Sequence, residues 1–138
     1  MDIRYAKETD MTFWLKLDKH IAEAELRKKI RDRQGYVLLE RDNPVGILRY
    51  NLFWDNIPFC TMLYITEPFQ RKGYGKLLLK HWEKDMSQAG YDMLMTSTQA
   101  DEPAQHFYRK LGYQDAGGLI INVPKYRQPM EIIFIKEM

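Results

Sequence analysis

Gly73 and Gly75 stand two residues apart in Gln70-Arg-Lys-Gly-Tyr-Gly75, between an apolar run ending at Ile65 and a helical pattern from Lys76. Strand, glycine turn and helix in that order aim the free N–H groups of a helix start, and the positive end of its dipole, at one point. A phosphate or pyrophosphate is the natural occupant of such a point. Glycine suits a chain that must bend tightly and approach an anion closely. Arg71, Lys72 and Lys76 add charge around the same point, and charged donors hold a phosphate roughly twice as strongly as neutral ones. Two other phosphate motifs are excluded. A dinucleotide fingerprint would need glycine at Leu78, and a P-loop would need Ser or Thr at Leu77. Alone, the two glycines also suit a bare strand-to-helix turn.

A second segment, Asp101-Glu-Pro-Ala-Gln-His-Phe-Tyr-Arg-Lys-Leu-Gly-Tyr113, carries its own start and stop. Asp101 or Glu102 is suited to cap a helix, with Pro103 in its first turn. Ala104, Phe107, Tyr108 and Leu111 then share one face, and Gly112 ends the helix in the left-handed region.

Together the two segments resemble the GNAT family of N-acetyltransferases. The first matches its Q/R-x-x-G-x-G/A loop, and Ala104-Gln-His-Phe-Tyr-Arg-Lys-Leu-Gly-Tyr113 matches its A-x-x-F-Y-x-K-L-G-F phrase nearly letter for letter. The resemblance implies acetyl-coenzyme A as co-substrate, with its pyrophosphate on Gln70, Arg71, Lys72, Gly73, Tyr74, Gly75 and Lys76. It implies that the pantetheine arm lies against Leu63, Tyr64 and Ile65. It also places Tyr108 near the coenzyme sulfur, where a phenol can donate a hydrogen bond or proton to the departing thiolate. The family often has Asn where this chain has Asp101. Asp accepts but does not donate unless protonated, so Asp101 is either a pantetheine contact or only a helix cap. The implied reaction is direct attack of a primary amine on the thioester. The alternative is an acyl-coenzyme A-binding sensor or partner module of the same fold that does not turn over.

The amine must lose a proton to attack. Glu67, just past the strand and beside the glycine loop, is the carboxylate expected to take it. Asp55 and Glu40 are weaker candidates, and a chain of waters would serve without any of them. The acceptor is a small-molecule or peptide amine. Phe53, Trp54, Phe59 and Tyr64 are expected near the acceptor cleft or in the core.

The elements that must position these residues follow from periodicity and turn residues. Strands are predicted at Ile3–Ala6, Tyr36–Glu40, Val45–Trp54, Ile57–Ile65, Met93–Thr98, Leu119–Val123 and Met130–Lys136. Two short helices are predicted between Asp10 and Arg33, with Trp14, Leu17, Ile21, Ala24 and Ile30 inward. A third helix from Lys76 buries Leu78, Trp82, Met86 and Ala89 and stops at Gly90. The order β-α-α-β-β-β-α-β-α-β-β implies an α/β fold with a central, splayed, mostly antiparallel mixed sheet flanked by helices, matching the resemblance.

The 138 residues suit one domain, 1–138, and 45% hydrophobic content indicates a packed core. Lys and Arg number 21 against 19 acidic residues, a net charge of +2 that argues against a nucleic-acid or membrane partner. Cys60 is the sole cysteine, so no internal disulfide forms. It reads as a core residue. His20, His81 and His106 show no metal-ligand spacing, so no metal is expected. A polar start and the lack of an apolar run near about 18 residues point to a cytoplasmic protein. A homodimer stays open.

Overall fold

A computed structural model describes residues 1–138. Seven strands form one mixed sheet in the order β1-β2-β3-β4-β5-β7-β6. They are β1 (Asp2–Tyr5), β2 (Gly35–Glu40), β3 (Asn43–Phe53), β4 (Ile57–Ile65), β5 (Met93–Gln99), β6 (Gln114–Leu119) and β7 (Glu131–Glu137). The helices are α1 (Met11–Leu17), α2 (Glu23–Arg31), α3 (Tyr74–Gln88) and α4 (Ala104–Lys110). The chain order is the one expected.

Each face of the sheet carries its own apolar layer. On one, Leu78, Leu79, Trp82 and Met86 of α3 and Tyr108 of α4 pack on Leu48, Leu94 and Phe134. On the other, Met11 and Trp14 of α1 and Leu26 of α2 cover Val37, Leu39 and Ile47. Burial of both faces explains why β2 and β3 read as nearly continuous apolar runs rather than alternating ones.

β4 and β5 form the sole parallel pair, and they hold register only at Phe59 opposite Met95 and Cys60 opposite Thr96. Thr96 Oγ1 closes this contact by donating to the Cys60 carbonyl at 3.0 Å. Beyond Cys60 the strands part. A β-bulge sharpens the bend: Arg49 faces Met62 and Tyr50 faces Cys60, so Thr61 has no partner across the ladder.

Several expectations shift. β6 occupies Gln114–Leu119 rather than Leu119–Val123, and all six of its residues are exposed. As the edge strand it pairs only with β7 and needs no apolar face. Its signature was therefore polar, and the apolar run after it lies in the following loop. Ala24 is exposed and Leu26 is buried instead, because α2 opens only at Glu23. Ala89 is exposed, since it follows the last residue of α3. Gly90 and Gly112 do take left-handed backbone, with φ of 97° and 92°.

Candidate active site

The V between β4 and β5 opens as a cleft of about 330 Å³. Cys60, Thr61, Met62 and Leu63 line it from β4, Thr96 to Gln99 from β5, and Ala104 and Tyr108 from α4. Further along the same strand and helix lies a second cavity of about 280 Å³, lined by Ile65, Phe107 and the glycine loop. Leu63 and Ile65, two of the predicted arm contacts, thus fall one in each cavity, whereas Tyr64 between them is exposed.

The loop is built from backbone first. Arg71 and Gly73 both adopt left-handed backbone, with φ of 64° and 84°. Such alternation curls successive N–H groups toward one side. Only Gly73 accepts that geometry without strain. The first α3 bond runs from Leu77 N to Gly73 O at 3.1 Å, and no side chain caps the start. The preceding amides are therefore free for an external anion. The helix begins at Tyr74, earlier than expected, which brings Gly75 inside its first turn. A Cβ added at Gly75 would meet only Phe107 and Ile65, at 3.7 and 3.9 Å. The fold itself leaves ordinary contact distance around a Cβ there, so steric demand inside the protein does not by itself require glycine at Gly75.

Side chains lock the loop's edges. Gln70 Nε2 donates to the Ile65 carbonyl at 2.7 Å, and the Tyr74 hydroxyl donates to Glu40 at 2.5 Å. Lys72 stands 5.4 Å from the Phe69 ring centre. Arg71, Lys72 and Lys76 form no ion pair with the protein. Their charges are uncommitted.

At the other end, Tyr108 is 6% exposed and packs edge-on against Phe107 and Tyr113, at 5.2 and 5.5 Å between ring centres. Burial, and next the Cys60 side chain, raise its phenol above the ordinary 10.0, with the neighbouring Thr96 hydroxyl acting the other way. It stays a neutral proton donor. Cys60 lines the same cleft, but burial pushes its thiol up to about 12. A thiol that holds its proton is a poor nucleophile.

Glu67 is not brought together with Tyr108. It lies exposed in a single 3-10 turn, Glu67–Phe69, after β4, outside the lining of either cavity. Asp101 is also exposed and outside both linings. It does not cap α4, and neither does Glu102. Pro103 precedes the helix, and the Glu102 carboxylate accepts from Gln99 N at 3.2 Å, closing the turn after β5 instead. Phe53, Trp54 and Phe59 cluster at the β3–β4 turn, with centres 4.7 and 6.0 Å apart, and none lines the cleft. Trp54 is 78% exposed because it sits on the turn itself, with φ of 55°.

The cleft also holds residues the sequence did not single out: His20, Ser97, Thr98, Gln128 and Glu131. His20 comes from the α1–α2 connection and Gln128 from the loop before β7, so only tertiary structure assembles them. Alternation along β5 was the one local signal, since it divides Ser97 and Gln99 from Thr96 and Thr98.

The acetyltransferase (GNAT) family model matches residues 3–113. This chain belongs to the GNAT family. Among solved GNAT-fold structures, ribosomal-protein-alanine N-acetyltransferase of Brucella melitensis superposes with a TM-score of 0.80 at 16% identity, covering 100% of both chains. PaiA N-acetyltransferase of Thermoplasma acidophilum, in complex with coenzyme A, gives 0.74 at 15%, covering 99% of this chain and 98% of that one. N-acetylglutamate synthase of Neisseria gonorrhoeae, complexed with coenzyme A and N-acetyl-glutamate, gives 0.82 at 18%. The GNAT chain described here covers 34% of that synthase, with 99% of its own residues aligned. At these identities the likeness is one of fold. Comparison with curated protein sequences gave no match. No helix is long and apolar enough to cross a membrane.

Proposed function

We propose that the protein transfers an acetyl group from acetyl-coenzyme A directly to a primary amine. The observation that carries this reading is the alignment of two cavities along β4 and α4, with free helix-start amides at one end and the buried Tyr108 at the other. Pyrophosphate on the glycine loop and a thioester beside Tyr108 fit that line. The parted stretch of β4 from Thr61 to Ile65 offers backbone to the arm between them.

In the proposed step the amine nitrogen bonds to the thioester carbon, the C–S bond breaks, and the sulfur leaves with the electron pair. The nitrogen loses one proton and the thiolate gains one, giving an amide and free thiol. An ordinary thiol has a pKa of about 8.5, below that of the Tyr108 phenol. The balance favours a hydrogen bond from Tyr108 to the sulfur over full transfer of its proton. Cys60, with its proton retained, gives no support to an acyl-enzyme route.

Release of free thiol from acetyl-coenzyme A, measured across a panel of primary amines, tests the reading. Turnover with at least one amine is expected. Tight coenzyme binding without thiol release from any amine would favour the sensor alternative.

A further inference from the structure

The two faces of the β5–β7 ladder divide the cleft. Thr96 and Thr98 pair with Phe134 and Ile132, which belong to the core under α3 and α4. Gln99 pairs with Glu131 and Ser97 with Ile133, so these four share the opposite face. Tyr108 lies on the first side, as does the proposed coenzyme path. The second side, reached past His20 and Gln128, is open to the other reactant.

Glu131 is set firmly there. Ser97 Oγ donates to its Oε2 at 2.6 Å, and Gln128 Nε2 donates to its Oε1 at 2.9 Å. Both donors are neutral, and Glu131 enters no ion pair with this chain. No Lys or Arg lines the cleft, whereas Glu102 and Glu131 both do. Arg49, which reaches Thr61 at the β4 bulge, is committed to Asp18 at 2.6 Å.

We infer that the Glu131 face is the acceptor subsite, and that it selects a primary amine arriving as a cation, its ammonium hydrogen-bonded to the Glu131 carboxylate. One ammonium proton then passes to water before the neutral nitrogen attacks, and the second leaves in the step already described. The inference rests on the acetyl-transfer reading. Ser97 and Gln128 are positioning residues that fix the carboxylate, and an ammonium supplies three donors to the lone pairs they leave. An acidic acceptor, or one with no N–H to donate, gains nothing from this arrangement.

The test uses two coenzyme A conjugates whose sulfur carries a short chain, ending in one case in a primary amine and in the other in a methyl group. Calorimetry on the full chain measures both. Wild type is expected to prefer the amine conjugate by about tenfold or more, the scale of one charge-assisted hydrogen bond. Glu131→Gln should erase that preference while binding the methyl conjugate as wild type does. Ser97→Ala, which loosens the carboxylate without removing it, should reduce the preference in part. Melting temperatures confirm that each variant is folded. Equal binding of the two conjugates by wild type, or a preference retained in Glu131→Gln, overturns the inference and leaves the coenzyme reading intact. Failure of both conjugates to bind overturns both.

Discussion

Tyr108 and Cys60 lie in one cleft, and their surroundings raise both pKa values, yet in the proposed reaction only the tyrosine is suited to a role by this. A hydrogen-bond donor works best when it keeps its proton, whereas a nucleophilic thiol must lose it. Tyr108→Phe is therefore expected to lower kcat by roughly 10- to 10³-fold, toward the lower part of the range for a positioned acid. Coenzyme affinity should stay near wild type, as calorimetry would show. Unchanged turnover would return Tyr108 to a packing role. Glu67 makes a useful contrast. Its position outside the cleft predicts that Glu67→Gln changes the rate by less than about twofold. In wild type and Glu67→Gln alike, kcat/KM should rise with pH through the neutral-to-alkaline range, because the attacking amine must be unprotonated. A drop of about tenfold in the variant at neutral pH, rescued at high pH, would restore Glu67 as the base.

At the scale of elements, the start of α3 concentrates the demands on glycine. Gly73 needs φ of 84°, so Gly73→Val strains the loop whether or not a ligand is bound. Left-handed backbone costs about 1–2 kcal/mol for a residue with a Cβ. Gly75 is different, because the protein leaves ordinary contact distance around a Cβ there. Gly75→Val should fold with nearly wild-type stability, yet weaken acetyl-coenzyme A by about 1–3 kcal/mol, roughly 5- to 150-fold. Paired thermal melts and binding isotherms on both variants would separate the two effects. Normal affinity in folded Gly75→Val would remove the pyrophosphate cradle from the proposal.

Across the whole molecule, one buried ion pair joins the layers. Asp18, 1% exposed at the end of α1, accepts from Arg49 Nε on β3 at 2.6 Å and from Trp14 Nε1 at 3.1 Å. Arg49 Nη1 reaches on to Thr61 Oγ1 at 2.9 Å, so the pair also holds the bulge that opens the cleft. Asp18→Asn leaves a buried guanidinium without its counter-charge and should cost about 3–5 kcal/mol in denaturant unfolding. Burial works against the Asp18 charge, but the Arg49 hydrogen bond and charge outweigh it and hold the carboxyl below its usual range. Asp10, buried beside Arg4, is held low for the same reasons. A carboxyl whose folded pKa is depressed adds stability above its unfolded value, about 3.9, and loses it as pH falls toward the folded value. Wild-type stability should therefore fall as pH drops below about 4. Asp18→Asn should show a shallower fall over the same window, and equal slopes would exclude Asp18 as a contributor.

Much of this was legible in the linear chain, because helix periods, glycine stops and two contiguous motifs are local features. Gly73, Gly75 and Tyr108 are identified by neighbours within a few residues, as are the ends of α3 and α4 at Gly90 and Gly112. β6 was misplaced because an edge strand has no buried face to impose a pattern. Ala24 and Leu26 exchanged roles because the face a short helix buries depends on where its first turn begins. The cleft is different in kind. Register between β4 and β5 stops after Cys60, a bulge leaves Thr61 unpaired, and β7 returns between β5 and β6. These long-range pairings carry Glu131 to Ser97 across 34 positions of sequence, and no local spacing encodes such a meeting. Short-range chemistry was thus determined by the sequence alone. Which carboxylate lines the cleft between β4 and β5 was decided only by tertiary structure, because strand pairing sets the distance between residues far apart in the chain.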